Sequence, residues 1–129
     1  MSDRLEVLVA GGGAVGSHVV RRLPAGVAVT VADLDVVLPE NVGIGSFATA
    51  DLFHPKATLL AARHRARGGV GRALPGDVRY TLRPGLAASL DVAVLALDNP
   101  AAIRDAAHAL WVGGRAGLLV LAKIGRAHV

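Results

Sequence analysis

The stretch Leu5–Leu23, LEVLVAGGGAVGSHVVRRL, decides the fold, because an apolar run stops at three glycines and a helical pattern follows. Gly11, Gly13 and Gly16 satisfy G-x-G-x-x-G between a predicted strand and a predicted helix. In such a turn the first glycine permits the tight backbone, the second lets a phosphate approach, and the third lets the helix pack on the strand. The free N–H groups of the helix N-terminus favour an anion. The stretch therefore predicts a nucleotide site.

The rest of the chain alternates between strand and helix patterns. Further strands are predicted over Val27–Asp35, Asp77–Leu82, Asp91–Leu97 and Gly117–Ala122. Helices are predicted over Ala14–Leu23, His54–Arg67 and Pro100–Trp111, and irregular connections over Leu38–Phe53 and Gly68–Gly76. This alternation predicts an α/β fold, a Rossmann-like doubly wound and mostly parallel sheet with helices on both faces.

Composition limits the classes of function. With 129 residues, of which 53% are hydrophobic and 19% charged, the chain forms one small domain with a buried core. The absence of cysteine excludes disulfides, a zinc–cysteine site and a thiolate nucleophile within these residues. No apolar run approaches the roughly 20 residues of a membrane span, and the polar start MSDR is unlike a signal peptide. We expect a cytoplasmic protein without a membrane partner.

The C-terminal residues IGRAHV resemble the translation of a common sequencing adapter. We therefore expect an incomplete nucleotide-binding domain over residues 1–122, truncated at its C-terminus, and an artefactual tail over residues 123–129, although a genuine short tail is the alternative. Without Lys123 and Arg126 the formal net charge falls from +4 to +2. The basic run that ends the second helix is then expected to be a solvated face, and no nucleic-acid partner is predicted.

An acidic residue supports the nucleotide interpretation. Asp33 ends the second predicted strand about 20 residues beyond the glycine turn, where a carboxylate meets a ribose hydroxyl in this kind of fold. The pattern does not separate NAD from ATP, since both carry a ribose and phosphates. A purely structural glycine turn is the simpler alternative.

Further motifs follow in a characteristic order. They are Ser17 after the glycine turn, Asp33 and Asp35 in D-x-D, Asn41 in a loop, Pro55 and Lys56 at a helix start, and Asp98 with Asn99 after a later strand. In this order, from Leu5 to Leu110, the chain resembles the ThiF/MoeB family of adenylating enzymes, which are related to ubiquitin-activating enzymes.

The resemblance implies a function and site residues. ATP and Mg²⁺ would be the cofactors of an adenylyltransferase that activates a carboxylate, in relatives often the C-terminus of a ubiquitin-like or sulfur-carrier protein. Asp33 would hold the ribose, Asn41 and Lys56 the phosphates, and Asp98 the magnesium-linked chemistry at the α-phosphate. A fixed ammonium and Mg²⁺ would stabilise charge that builds on phosphate oxygens. Homodimers are common among such relatives, and this fragment alone is not expected to turn over.

Two positions depart from the family pattern. Ile44 stands where an arginine usually follows the loop asparagine, and Arg104 is one residue later than the arginine that usually follows D-N. A divergent or weakened member would explain both departures. A zinc site or a catalytic cysteine would lie beyond the chain end. Two other functions stay open, an NAD(P)-dependent oxidoreductase and a non-catalytic nucleotide-sensing module.

Each assigned side chain also has a simpler structural interpretation. Asp33 could hold a strand end, Asn41 could be a turn residue, and Asp98 could cap the following helix. Asp35 could be a solvated loop charge, and Ser17 could pack within the first turn of its helix. The histidines show no metal-ligand spacing.

Overall fold

A computed structural model of the protein describes residues 4–43, 46–113 and 118–121. The strands are β1 Glu6–Ala10, β2 Ala28–Asp33, β3 Val70–Pro75, β4 Val92–Leu95 and β5 Leu118–Leu121. The helices are α1 Ala14–Arg22, α2 Lys56–Ala66, α3 Val78–Thr81, α4 Pro84–Ser89 and α5 Pro100–Gly113. Two short 3₁₀ turns, Pro39–Asn41 and Thr49–Asp51, lie in the connection between β2 and α2.

The five strands form one sheet in the order β3-β2-β1-β4-β5, and every pairing is parallel. This is the order of the first five strands of a Rossmann fold, so the predicted α/β class is confirmed. The order reverses between β1 and β4. In open α/β sheets, ligands bind outside the carboxyl ends of the strands at this reversal. The end of β1 is where the glycine turn begins.

Two hydrophobic cores cover the two faces of the sheet. Side chains alternate along β1, so that Val7 and Val9 join one core while Leu8 and Ala10 join the other. The first core is completed by residues of α1 and α2, such as Val20 and Leu60. The second core is completed by residues from α3, α4 and α5. Burial on both faces explains why the central strands read as continuous apolar runs.

The predicted loop over Gly68–Gly76 is wrong, because it contains strand β3. Two features weakened the strand pattern there. A Cβ at Gly71 would lie well inside contact distance of the Ala61 carbonyl, so glycine is needed for α2 to pack closely on the strand. Pro75 ends β3, which is the outermost strand on this side of the described sheet, where proline is tolerated.

The predicted strand over Asp77–Leu82 is also wrong. Asp77 caps α3, and its side chain accepts a hydrogen bond from the Arg79 N–H at 2.9 Å. Val78 and Leu82 are buried, which fits one turn of helix because residues four apart share a face. Tyr80 is exposed between them.

The other predicted elements are present with ends that differ by a few residues. Ile44 and the predicted artefactual tail, residues 123–129, lie outside the described residues. Within the described part of the chain, no helix combines the length and apolar character needed to cross a membrane.

Candidate functional site

The three motif glycines have different surroundings. Gly11 has φ +103°, and a Cβ there would overlap the carbonyl of Ala96, the residue directly after β4. A Cβ at Gly16 would overlap the Gly11 carbonyl, which is the close helix–strand approach that the motif predicts. At Gly13 a Cβ would meet no described atom within 4 Å. Packing therefore explains two of the glycines, whereas Gly13 borders open space.

Asp33 joins the end of β2 to the glycine turn. Its Oδ2 accepts a hydrogen bond from the Gly12 N–H, and its Oδ1 accepts one from the Asp35 N–H at 2.6 Å. Burial raises the pKa of Asp33, while these two hydrogen bonds act in the opposite direction. A carboxylate has about four acceptor positions, so this side chain holds the turn and keeps acceptor capacity on the cavity it lines.

The connection after β2 folds back on the start of α2. The Val37 N–H donates to the His54 carbonyl at 3.0 Å, and the Lys56 N–H donates to the Asp35 carbonyl at 3.0 Å. Lys56 is therefore held beside the ends of β1 and β2. Its residue exposure is only 7%. Its ammonium makes no hydrogen bond or ion pair with any described residue, although its charge acts on Asp33.

A cavity of about 380 Å³ lies at the carboxyl ends of the strands. It brings together six of the residues predicted from sequence, namely Gly11, Gly13, Asp33, Asp35, Lys56 and Asp98. It also includes residues after β3 and after β4, so it extends across the point where the strand order reverses. Gly16 is not part of its lining, in keeping with a packing role.

A second cavity of about 100 Å³ adjoins the first and shares Gly13 and Lys56 with it. Two further predicted residues, Ser17 and Asn41, line this cavity, although Ser17 is buried and its Oγ donates to the Ala14 carbonyl at 3.4 Å. The Asn41 Oδ1 accepts the Leu38 N–H at 2.9 Å, so the amide stabilises its own turn through the oxygen. The buried Ser46 Oγ, also on this lining, has no hydrogen-bond partner among the residues that the structure describes.

Asp98 and its neighbour Asn99 have different tasks. The Asn99 Oδ1 accepts hydrogen bonds from the Ala101 and Ala102 N–H groups at 2.9 and 3.3 Å, and so caps α5. Asp98 is exposed on the main cavity and makes no hydrogen bond or ion pair with the described residues. The capping interpretation of Asp98 is therefore wrong, and its carboxylate is available to a ligand.

The donor set can be compared with the needs of Mg²⁺. No group of three or more histidine, cysteine, aspartate or glutamate side chains is placed to hold a metal ion among the described residues. Mg²⁺ is commonly bound by one or two carboxylates together with phosphates of a nucleotide. Asp98 fits that mode, because it offers one free carboxylate at the nucleotide cavity.

Of the arginines at the end of α2, Arg65 and Arg67 are exposed, as predicted for a solvated face, but all three also make hydrogen bonds to neighbouring segments. Arg63 pairs with Asp51 at 2.6 Å and also donates to the Ser46 carbonyl. Arg65 donates to the Gly71 carbonyl, and Arg67 to the Val20 carbonyl, each at 2.8 Å. These guanidinium groups fasten neighbouring segments to α2. Arg104, which departs by one residue from the ThiF/MoeB pattern, lies on a separate open groove.

Sequence reasoning missed Asp77 and Arg79, which line the main cavity from α3. They were missed because the sequence pattern predicted a strand over Asp77–Leu82 instead of a capped helix. The local signal was present, because Gly76 followed by an aspartate is typical of a turn that begins a helix. Gly76 has φ +137° and donates its N–H to the Asp33 carbonyl at 2.9 Å, which brings α3 to the end of β2.

Comparisons with known proteins give no family assignment. No protein-family model matches the chain, and no curated protein matches it. The resemblance to ThiF/MoeB enzymes therefore stays a prediction from the ordered motifs.

Proposed function

We propose that the two cavities bind ATP, and that the protein is the nucleotide-binding part of an adenylyltransferase that activates a carboxylate. The single observation that carries the proposal is Lys56, a lysine that is only 7% exposed and whose ammonium has no hydrogen-bonding partner among the described residues. It stands where the main cavity meets the second cavity.

Lys56 lies in a nearly enclosed position. An ammonium taken out of water is costly unless an anion or hydrogen bonds compensate it. Asp33 acts on it at a distance, yet that carboxylate already accepts two backbone N–H groups. A phosphate at the same place would supply charge and acceptors together. It would also meet the free N–H groups of α1, whose cap residue Gly13 has no side chain to satisfy them.

The second cavity supports a chain of phosphates rather than one. Its lining offers the unpartnered Ser46 hydroxyl, the Asn41 amide nitrogen and Ser17, in addition to Lys56. These are donors, as phosphate oxygens require. Its volume of about 100 Å³ is small beside that of the main cavity, so we assign the nucleoside to the main cavity and the terminal phosphates to the second.

The proposed reaction joins a carboxylate to AMP. A carboxylate oxygen of the acceptor attacks the α-phosphorus, a C–O–P linkage forms, and the α–β bridging bond breaks so that diphosphate leaves with the electron pair. Lys56 would neutralise charge on the phosphate oxygens. Asp98 would hold Mg²⁺, which when bound supplies further charge stabilisation at the phosphates. The resemblance suggests the C-terminus of a ubiquitin-like or sulfur-carrier protein as acceptor.

A dinucleotide is the second candidate. The main cavity crosses from Asp33 to Asn99, and an NAD molecule would extend over this reversal of strand order with its second half near β4. That function gives Gly13 and Asp33 a role. It gives no role to Lys56 or to the second cavity.

Calorimetric titration of the 129-residue chain with ATP–Mg²⁺ and with NAD⁺ tests the proposal. Lys56→Ala is expected to weaken ATP binding by tenfold or more, because hydrogen bonds to charged groups contribute about 1.5–3 kcal/mol. Asp98→Ala is expected to weaken ATP binding only when Mg²⁺ is present. Arg72→Ala is the matched control, since Arg72 pairs with Glu6 and lines neither cavity.

Two results would contradict the proposal. One is binding of NAD⁺ but not ATP, with an affinity that Lys56→Ala leaves unchanged. The other is ATP binding to which Lys56 and Asp98 are both indifferent. The thermal unfolding of each variant establishes that a loss of binding is not a loss of fold.

A further inference from the structure

The wall of the main cavity after β3 carries a fixed guanidinium. Arg79 donates from Nε to both oxygens of Asp77 at 3.1 Å and from Nη2 to Oδ2 at 2.7 Å. The intervening Val78 is buried in the core beneath, so the turn that carries this pair is anchored to the sheet. The pair therefore lines the main cavity at an exposed position, and Arg79 also borders the open groove that includes Arg104.

One edge of this guanidinium is available. Asp77 occupies Nε and Nη2, whereas Nη1 makes no hydrogen bond with a described residue. A guanidinium has only donors, so Nη1 can donate to an acceptor on a ligand in the cavity in place of water. A nucleotide offers acceptors in its phosphate oxygens, its ribose oxygens and the ring nitrogens of its base. The position of Arg79 in the fold distinguishes them.

The glycine turn, Asp33 and Arg79 follow the carboxyl ends of β1, β2 and β3, which are consecutive neighbours in the sheet. Neighbouring strands are about 4.8 Å apart, so β1 and β3 are separated by about 10 Å. A nucleotide with its phosphates at β1 and its ribose at β2 directs its base to β3. Arg79 lines the main cavity but not the second cavity, whereas Lys56 lines both.

We propose that Arg79 contacts the base of the bound nucleotide and donates from Nη1 to a ring nitrogen, with Asp77 as the residue that positions it. This inference rests on the proposed function and assigns to α3 the recognition of the base in that same site. It also gives the cavity a cation at each end, with Lys56 for the phosphates and Arg79 for the base.

Competition against a fluorescent ATP analogue separates the two ends of the ligand. Adenosine reports on the base and ribose side, and inorganic tripolyphosphate reports on the phosphate side. Arg79→Ala is expected to weaken adenosine about tenfold and to leave tripolyphosphate within twofold of the unmodified protein. Lys56→Ala is expected to show the reverse pattern. Arg79→Gln, which keeps a donor amide, is expected to recover part of the adenosine affinity, and Arg72→Ala to change neither ligand.

Each alternative gives a different pattern. If the pair only stabilises α3, Arg79→Ala lowers thermal stability and leaves the adenosine affinity unchanged, which overturns the inference. If Arg79 binds phosphate, tripolyphosphate is weakened as much as adenosine, which also overturns it. If the unmodified protein does not bind the ATP analogue, the proposed function fails as well. Intact ATP binding that depends on Lys56 but not Arg79 overturns this inference alone.

Discussion

Gly13→Ala separates binding from folding more cleanly than any other substitution in the glycine turn. Gly13 has φ −74° and ψ −155°, which alanine also adopts, and a Cβ there meets no described atom within 4 Å. The added methyl group lies on the lining of both cavities. We therefore expect a folded protein whose phosphate site is obstructed.

The magnitudes follow from the surroundings of each glycine. Alanine is a poorer N-terminal cap than glycine, but it also restricts the unfolded chain, so the free energy of unfolding should change by less than about 1 kcal/mol. A methyl group that keeps a phosphate from its N–H donors should weaken ATP binding at least tenfold, or about 1.4 kcal/mol. The change of less than about 1 kcal/mol in unfolding free energy predicts a shift in melting temperature of at most about 5 °C.

Gly16→Ala is the matched control on the same helix. A Cβ at Gly16 would lie at less than half of the 3.4 Å at which ordinary contact with the Gly11 carbonyl begins, so α1 must move away from β1. Overpacking of this kind costs about 3 kcal/mol, which lowers the melting temperature by about 10 °C in a chain of this size.

Thermal unfolding and calorimetric titration with ATP–Mg²⁺ measure both variants. The expected result is that Gly13→Ala loses affinity at nearly constant stability, whereas Gly16→Ala loses stability first. If Gly13→Ala binds ATP as the unmodified protein does, the phosphate is not at this turn and the site has been misassigned. If Gly16→Ala is as stable as the unmodified protein, the helix–strand contact is not as described.

Three further predictions concern single side chains. Asn99→Ala should lower stability by about 1 kcal/mol through loss of the α5 cap, and Asn99→Asp should retain it; equal melting temperatures for the two variants would be evidence against the cap. Burial raises the pKa of Asp33 above 3.8, so its contribution to stability is complete below that pH and is lost as pH rises through the higher folded value. The melting temperature of Asp33→Asn relative to that of the unmodified protein should therefore rise between acid and neutral pH, and a difference that does not change with pH would refute the cause. Arg63→Ala removes the donor to the Asp51 carboxylate and to the Ser46 carbonyl. It should lower the free energy of unfolding, measured by urea titration, by about 1 kcal/mol. An unchanged urea midpoint would show that Arg63 does not hold the connection before α2 in place.

The central part of the fold could be predicted because its residues mainly serve one structural role, burial in the core or the tight glycine turn. The strands β1, β2 and β4 are buried on both faces and read as apolar runs, and the glycine turn has a spacing that few other structures require. The strand β3 could not be recognised in the same way. Gly71 is there for close packing of α2, and Pro75 ends the strand, so two residues that usually indicate loops occur within a strand.

The candidate site was predictable to a similar extent. Residues after β1, β2 and β4 were found because those strands were found. Arg79 was missed because its position depends on β3 and on the Asp77 cap. The roles of Asp98 and Asn99 could not be distinguished from sequence, since either side chain can cap a helix. Only the hydrogen bonds show that Asn99 is the cap.

Thermal unfolding of the unmodified 129-residue chain with ATP–Mg²⁺ and with NAD⁺ is the most direct test of whether the site binds ATP rather than NAD⁺. A ligand at one hundred times its dissociation constant adds about 2.7 kcal/mol to the stability of the folded state. For a chain of this size that corresponds to a rise of about 10 °C in melting temperature. We expect this rise in melting temperature with ATP–Mg²⁺ and a clearly smaller rise with NAD⁺ at the same concentration. A rise with NAD⁺ that equals or exceeds the rise with ATP–Mg²⁺ would contradict it.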